Sequence, residues 1–249
     1  MKRNKSSTRR SFKETQGKAI LDTPKRISWQ QQNGINRFTL TESQDTLRRK
    51  ILNNDLTFCV GPAGTGKSLS VLYTYVQEYL KDSTKQIIFI RTPVEAGMDR
   101  IGFLPDGAEQ KLEPHFASAK ALLEQLLSKG KVETDLGHRI HFKIPNFALG
   151  ATFDNSLICI DEAQQLPPLI LKLLLERTGI NSKVVVLGDN TQLYVDSKGR
   201  NALLDAVPRF FVDGPYGWES KYDSIVYHEF EVEDVMRSEL VKSVIRAYS

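Results

Sequence analysis

The sequence predicts an α/β fold, a mainly parallel sheet covered by helices on both faces in three layers. Three observations predict it: short apolar runs of the kind buried on both faces, helix-period segments alternating with them, and a glycine-rich turn that joins the first run to a helix. In order, Thr41 caps a short helix over 45–52, with Gln44 in its first turn. Leu56–Val60 reads as a strand, and residues 69–80 carry helical apolar spacing. A second strand covers 86–90, followed by a loop with Pro93 and Gly97, a helix over about 108–127 and a polar stretch to Asn155. Residues 157–160 form a continuous apolar strand, 168–177 a helix ending at Gly179, and 183–187 another buried strand. A Gly/Pro-punctuated stretch over 208–223 leads to a strand at 224–227, then a final helix containing Val235-Met236-Arg237 and Val241.

With 249 residues, 40% hydrophobic and 26% charged, the chain can bury a sizeable core. Two cysteines are too few for a disulfide-stapled scaffold, and no apolar run approaches the ~18 residues of a membrane span. The basic N-terminus is not followed by an apolar signal region, so the expected location is the cytoplasm. Charge is uneven. Residues 1–27 hold nine Lys or Arg against Glu14 and Asp22, a net +7, while the rest, 25 basic against 28 acidic, carries −3. Poor in apolar residues, 1–27 reads as a disordered tail, either drawn to phosphate backbones or merely solubilising. Residues 28–249 read as a single domain, with no internal repeat.

Gly61-Pro62-Ala63-Gly64-Thr65-Gly66-Lys67-Ser68 fits the phosphate-binding pattern G-x-x-x-x-G-K-[ST], between a strand and a helix as that pattern requires. The glycines let backbone N–H groups curl around phosphate oxygens, and the helix N-terminus adds its positive dipole end. Lys67 is expected to neutralise β/γ-phosphate charge and Ser68 to ligate Mg²⁺. At the end of the 157–160 strand, Asp161 is the candidate metal-side carboxylate and Glu162 the candidate general base. A third strand ends in Gly188-Asp189-Asn190-Thr191-Gln192, which places Gln192 beside the γ-phosphate, although this is also ordinary turn chemistry. The implied cofactors are ATP and Mg²⁺. His138 and His141 lack further metal-type neighbours and read as loop or surface residues.

On these residues the chain resembles PhoH-like ATPases, a RecA-type P-loop NTPase core related to superfamily-one helicases. The resemblance runs from about Gln44 to Tyr248. Besides 61–68 it rests on Arg91-Thr92-Pro93-Val94-Glu95-Ala96-Gly97, Gly102-Phe103-Leu104-Pro105, Gln110-Lys111-Leu112-Glu113-Pro114, Asp161-Glu162-Ala163-Gln164, the 188–192 segment and Glu233-Asp234-Val235-Met236-Arg237. It implies that Gln44 reads the adenine edge and that Gln192 couples γ-phosphate state to nucleic acid. It further implies that Arg237 supplies the transition-state cation, across a subunit boundary if the protein forms a ring. Arg91 and Lys111 become candidate nucleic-acid contacts, a surface salt bridge being the plainer reading of Arg91. The implied sheet places a strand between those carrying Cys59 and Cys159, so both stay reduced.

The sequence departs from the family pattern in three places. Leu149-Gly150-Ala151-Thr152 stands where the family carries Arg-Gly-Arg-Thr, removing two cations. The 208–223 stretch is long and carries Phe210, Phe211, Tyr216, Trp218 and Tyr222, suited to stacking on bases or, more simply, to packing among themselves. The basic tail matches no family motif. The expected function is ATP hydrolysis on or with RNA or single-stranded DNA by a helicase-like core. The alternative is an ATP-switched nucleic-acid-binding adaptor that recruits a separate nuclease or processing complex. One RecA-type core cannot move along a strand alone, so strand movement implies a homo-oligomer, a ring being one form.

Overall fold

The computed structural model describes residues 38–92, 108–189, 201–215 and 217–248. Its chain order is α1 (Glu42–Asn53), β1 (Leu56–Val60), α2 (Lys67–Lys81), β2 (Gln86–Arg91), α3 (Ala108–Leu126), α4 (Lys129–Asp135), β3 (Ile140–Lys143) and α5 (Pro145–Ala148). Then come β4 (Ser156–Asp161), a 3₁₀ turn (Ala163–Gln165), α6 (Pro168–Leu175), β5 (Lys183–Gly188), α7 (Ala202–Phe210), β6 (Phe211–Gly214) and β7 (Gly217–Ser220). The last elements are β8 (Ile225–Glu229), a second 3₁₀ turn (Val232–Asp234) and α8 (Glu239–Tyr248).

Six strands pair in the order β3-β2-β4-β5-β1-β8, all parallel, while β6 and β7 form a separate antiparallel hairpin. Parallel strands buried on both faces must be apolar at successive positions, and side-chain alternation divides them between two cores. Cys59, Ile87, Phe89, Leu157, Cys159, Val185 and Leu187 pack with α1, α2 and α3. Phe58, Val60, Ile88, Ile90, Ile158, Ile160, Val184 and Val186 pack on the other face with α6, α7 and the hairpin. The result is the three-layer α/β sandwich expected, with strand ends β1, β4 and β5 side by side at one edge. Strand β5 lies between β1 and β4, so Cys59 and Cys159 sit on non-neighbouring strands, both buried as free thiols. Burial pushes the Cys59 thiol up to about 12, which leaves it a core side chain without nucleophilic use.

Thr41 caps α1 through a reciprocal box, its Oγ1 accepting from Gln44 N at 3.3 Å while Gln44 Oε1 accepts from Thr41 N at 3.1 Å. Several elements differ from expectation. Residues 140–143, inside the stretch read as polar, form the edge strand β3, where His141 accompanies Ile140 and Phe142. The 208–223 stretch contains the β6–β7 hairpin, and its described aromatics divide: Phe211 is buried against Phe58 at 5.6 Å and Tyr227 at 5.5 Å, while Trp218, 6.2 Å from Tyr227, and Tyr222, 6.0 Å from Phe210, remain exposed. Val235-Met236-Arg237 lies outside the final helix, which begins only at Glu239. Its predecessor is a 3₁₀ turn that opens on a Glu231–Asp234 capping box and ends with Val235 extended. The 1–27 tail, Gln192 and Tyr216 lie outside the described residues. Among the described residues, no helix is long and apolar enough to cross a membrane.

Candidate nucleotide-binding site

Strand β1 delivers the chain into the 61–66 loop, and the loop opens directly into α2. Gly61, Gly64 and Gly66 have φ of 147°, 91° and 82°, a region open chiefly to glycine. A Cβ on Gly61 would stand 2.6 Å from the Phe230 carbonyl oxygen, and one on Gly66 would stand 2.5 Å from Gln44 Nε2. The loop therefore turns where only glycine fits, and Ala63, Gly64 and Gly66 line a cleft. Lys67 Nζ donates to the loop's own carbonyls, Gly61 O at 2.6 Å and Pro62 O at 2.7 Å. Burial pushes its ammonium pKa down, opposed by the acidic groups of the cleft.

The cleft encloses about 470 Å³ and is lined by Lys67 and Ser68 from α2, Asp161 and Glu162 from the end of β4, Asp189 from the end of β5, and Arg237. Parallel pairing sets Arg91, the last residue of β2, beside Asp161. Its guanidinium lies 3.6 Å from Asp161 Oδ2 and 3.3 Å from Glu162 Oε1. Burial raises the Asp161 carboxyl to about 6 despite the Arg91 charge, and Glu162 adds a like-charge push. Glu162 itself has a left-handed backbone, φ 55° and ψ 42°, uncommon for a non-glycine residue and typical of sites where the surroundings dictate geometry.

Gln164, quoted in the sequence only as part of a motif, proves central. Fully buried, it donates from Nε2 to Glu162 Oε2 at 2.6 Å and accepts at Oε1 from Asp189 N at 3.2 Å. The residue type alone gave no sign of this, because the contact depends on β4 and β5 being neighbours.

Arg237 reaches the cleft from its own chain. Met236 N donates to Gly64 O at 3.0 Å, and the Arg237 side chain so covers Gly64 that a Cβ there would stand 2.9 Å from Nε. Gln44 does not line the cleft in this arrangement. Its amide is 1% exposed and spans three elements, accepting from Thr41 N and donating to Thr65 O at 2.9 Å and to Met236 Sδ at 3.3 Å. Here it braces the loop and the Met236-Arg237 segment. Lys111 falls within α3, and its side chain lies outside what the structure describes.

The cradle fits a nucleotide triphosphate tail: glycines hold a loop no side chain could follow, a buried ammonium sits within it, and a helix N-terminus opens from it. Ser68 and Asp161 are hard oxygen donors of the kind Mg²⁺ takes, with remaining positions left to phosphate and water. Among the described residues, no group of three or more His, Cys, Asp or Glu could hold a metal by itself.

The family model described as PhoH-like protein matches residues 38–249. The chain belongs to the PhoH-like family. It is 31% identical over 202 residues to the PhoH-like protein of Synechocystis sp., covering 80% of this chain and 58% of that one. It is 32% identical over 196 residues to the PhoH-like protein of Bacillus subtilis, covering 78% and 58%. The chain thus spans less than two thirds of the length of these relatives. Among solved structures, the large terminase of a thermophilic bacteriophage aligns with a TM-score of 0.50 at 12% identity, over 84% of this chain and 50% of that one. That likeness is one of fold. The PhoH-like chain carries a P-loop NTPase fold with the phosphate loop, the two acids at the end of β4 and Arg237 converging on one cleft.

Proposed function

We propose that this PhoH-like chain is an ATP hydrolase that works with nucleic acid, RNA or single-stranded DNA. The observation that carries the reading is Glu162, held by Gln164 from one side in a left-handed backbone and set in the same cleft as Lys67, Ser68 and Asp161. A loop that merely bound nucleotide would not need a carboxylate fixed in this way. Lys67 leaves its loop carbonyls to pair with β/γ-phosphate oxygens, and Ser68 and Asp161 hold Mg²⁺. The ion supplies charge neutralisation along the phosphates. Glu162 accepts the proton of the attacking water as the bond to the β–γ bridging oxygen breaks. Arg237 stabilises charge on the transferring phosphoryl group, and its contact with Gly64 of the same chain supports a role in cis. Gln192 senses the γ-phosphate, and Gln44 acts on the adenine end through the loop it braces.

The nucleic-acid part rests on the +7 segment at residues 1–27, whose Lys and Arg suit a phosphate backbone, with Lys111 as a further contact, while Arg91 is engaged by Asp161 and Glu162 and is not counted on for it. The test is the steady-state ATPase rate with and without single-stranded RNA and DNA, at low and moderate salt, for the full chain and a form starting near Arg26. Stimulation by one polymer, lost on truncation, is the expected result. Basal hydrolysis without any stimulation would overturn the nucleic-acid half of the proposal, and absence of hydrolysis would overturn the whole.

A further inference from the structure

We infer that Gln164 is a positioning residue for hydrolysis, fixing one oxygen of Glu162 so that the other takes the proton from the attacking water. This rests on Glu162 being the base. The side-chain amide sits two residues past Glu162 in the 3₁₀ turn, and Nε2 donates to Glu162 Oε2 at 2.6 Å. Its other end accepts from Asp189 N at 3.2 Å, and its backbone carbonyl accepts from Asn201 Nδ2 at 2.9 Å. An amide can donate to a carboxylate at one end and accept from an N–H at the other, which a carboxylate or an ammonium in its place could not. Turned over, the same amide would set oxygen against oxygen and N–H against N–H, so the network fixes its orientation. The fit is close: a Cβ on Gly188 would stand 2.9 Å from Gln164 Oε1 and 2.2 Å from Leu203 Cδ1, so a side chain there would push on the amide.

The arrangement divides the labour of the two Glu162 oxygens. Oε2 accepts from Gln164, and Oε1 accepts from Arg91 Nη2 at 3.3 Å, a longer contact that leaves Oε1 a lone pair for the proton of the attacking water. A carboxylate on a strand end with a left-handed backbone has rotamers in which neither oxygen faces the cleft, and the amide selects one that does. Through Asp189, Gln164 also ties the base to the end of β5. Movement of that strand end is therefore transmitted to the base.

The test uses the full chain. Gln164→Met keeps the length and removes both hydrogen bonds; Gln164→Glu keeps the acceptor for Asp189 N and replaces the donor with a second carboxylate. At pH 8, both variants are expected to lose about tenfold to hundredfold in kcat, while KM for ATP stays within about threefold. The Kd of a fluorescent ATP analogue, read without turnover, should be equally unmoved. Built onto Glu162→Gln, either change should cause no further loss in single-turnover rate, because Gln164 acts only through Glu162. The inference is overturned if kcat is unchanged in both variants while Glu162→Gln alone abolishes turnover. It is likewise overturned if the losses persist in full on the Glu162→Gln background, or if KM and the analogue Kd rise in step with the fall in kcat. Glu162→Gln by itself reports on the base assignment, so failure of that assignment is distinguishable from failure of this one.

Discussion

Arg91 Nη2 lies 3.3 Å from Glu162 Oε1, reaching across the edge where β2 and β4 run side by side. The same guanidinium is the cation that restrains the Asp161 carboxyl against burial. Arg91→Gln removes that restraint, so Asp161 takes up a proton at higher pH than the wild-type value of about 6. On the proposed function, magnesium-dependent nucleotide binding needs the ionised Asp161 carboxylate. The affinity for a fluorescent ATP analogue, titrated from roughly pH 5 to pH 8, should therefore lose its acid limb at higher pH in the variant than in the wild type. An unshifted midpoint would separate Arg91 from Asp161.

Asp161 also links stability to pH. Its folded pKa of about 6 lies above the ordinary value of 3.8, so between these values the folded state binds more protons than the unfolded state. Its contribution is then fully favourable below about pH 4 and falls as pH rises to about 6. At neutral pH the buried charge costs up to about 3 kcal/mol, at 1.36 kcal/mol per unit. Asp161→Asn, without nucleotide, should be more stable than wild type at pH 7 by roughly 1–3 kcal/mol, with the gap closing toward pH 4. Paired denaturant melts at the two pH values check this.

Two loop glycines should fail in different ways. A Cβ on Gly61 meets the backbone oxygen and Cβ of Phe230 at 2.6 and 2.7 Å, atoms that cannot yield, so Gly61→Ala should cost about 2–4 kcal/mol of stability. On Gly64 the Cβ meets the flexible Arg237 side chain at 2.9–3.1 Å, and the main cost is the φ of 91°. Gly64→Ala should lose only about 1–2 kcal/mol while displacing Arg237 and depressing turnover. Thermal melts beside ATPase rates separate the two.

Met236 N donates to Gly64 O of the same chain, which brings Arg237 to its own cleft, so the proposed function expects this cation to act in cis. Mixing the inactive variants Lys67→Ala and Arg237→Ala should then give no recovery of ATPase activity at any ratio. Recovery on mixing would show that Arg237 serves a neighbouring subunit.

Much of this site is legible in the sequence where chemistry and periodicity coincide. Gly61 to Ser68 follow an apolar strand and open an amphipathic helix, and Asp161-Glu162 follow another, so their meeting at one sheet edge is dictated by parallel topology. What is illegible depends on neighbours distant in sequence. Gln164 matters because β5 brings Asp189 to its amide, and Gln44 is enclosed by Thr65 and Met236, its amide already engaged. Val235-Met236-Arg237 has helix-compatible residues, yet the 3₁₀ turn ends at Asp234, Val235 is extended and Met236 N is drawn to Gly64 O, so the final helix starts only at Glu239. Strand β3 escapes notice because an edge strand of this length needs only a short apolar alternation, Ile140 and Phe142 between His141 and Lys143.

The most direct measurement compares Glu162→Gln with wild type in two readouts: equilibrium binding of ATP in Mg²⁺ and the single-turnover rate of its hydrolysis. Glu162→Gln preserves size and can still meet Gln164 through its amide oxygen, so binding should stay within about threefold. Hydrolysis should fall by about 10²- to 10⁴-fold, the usual contribution of a general base. Turnover at the wild-type rate, with ATP bound normally, would contradict the role given to Glu162 and with it the reading of the cleft as a hydrolytic site.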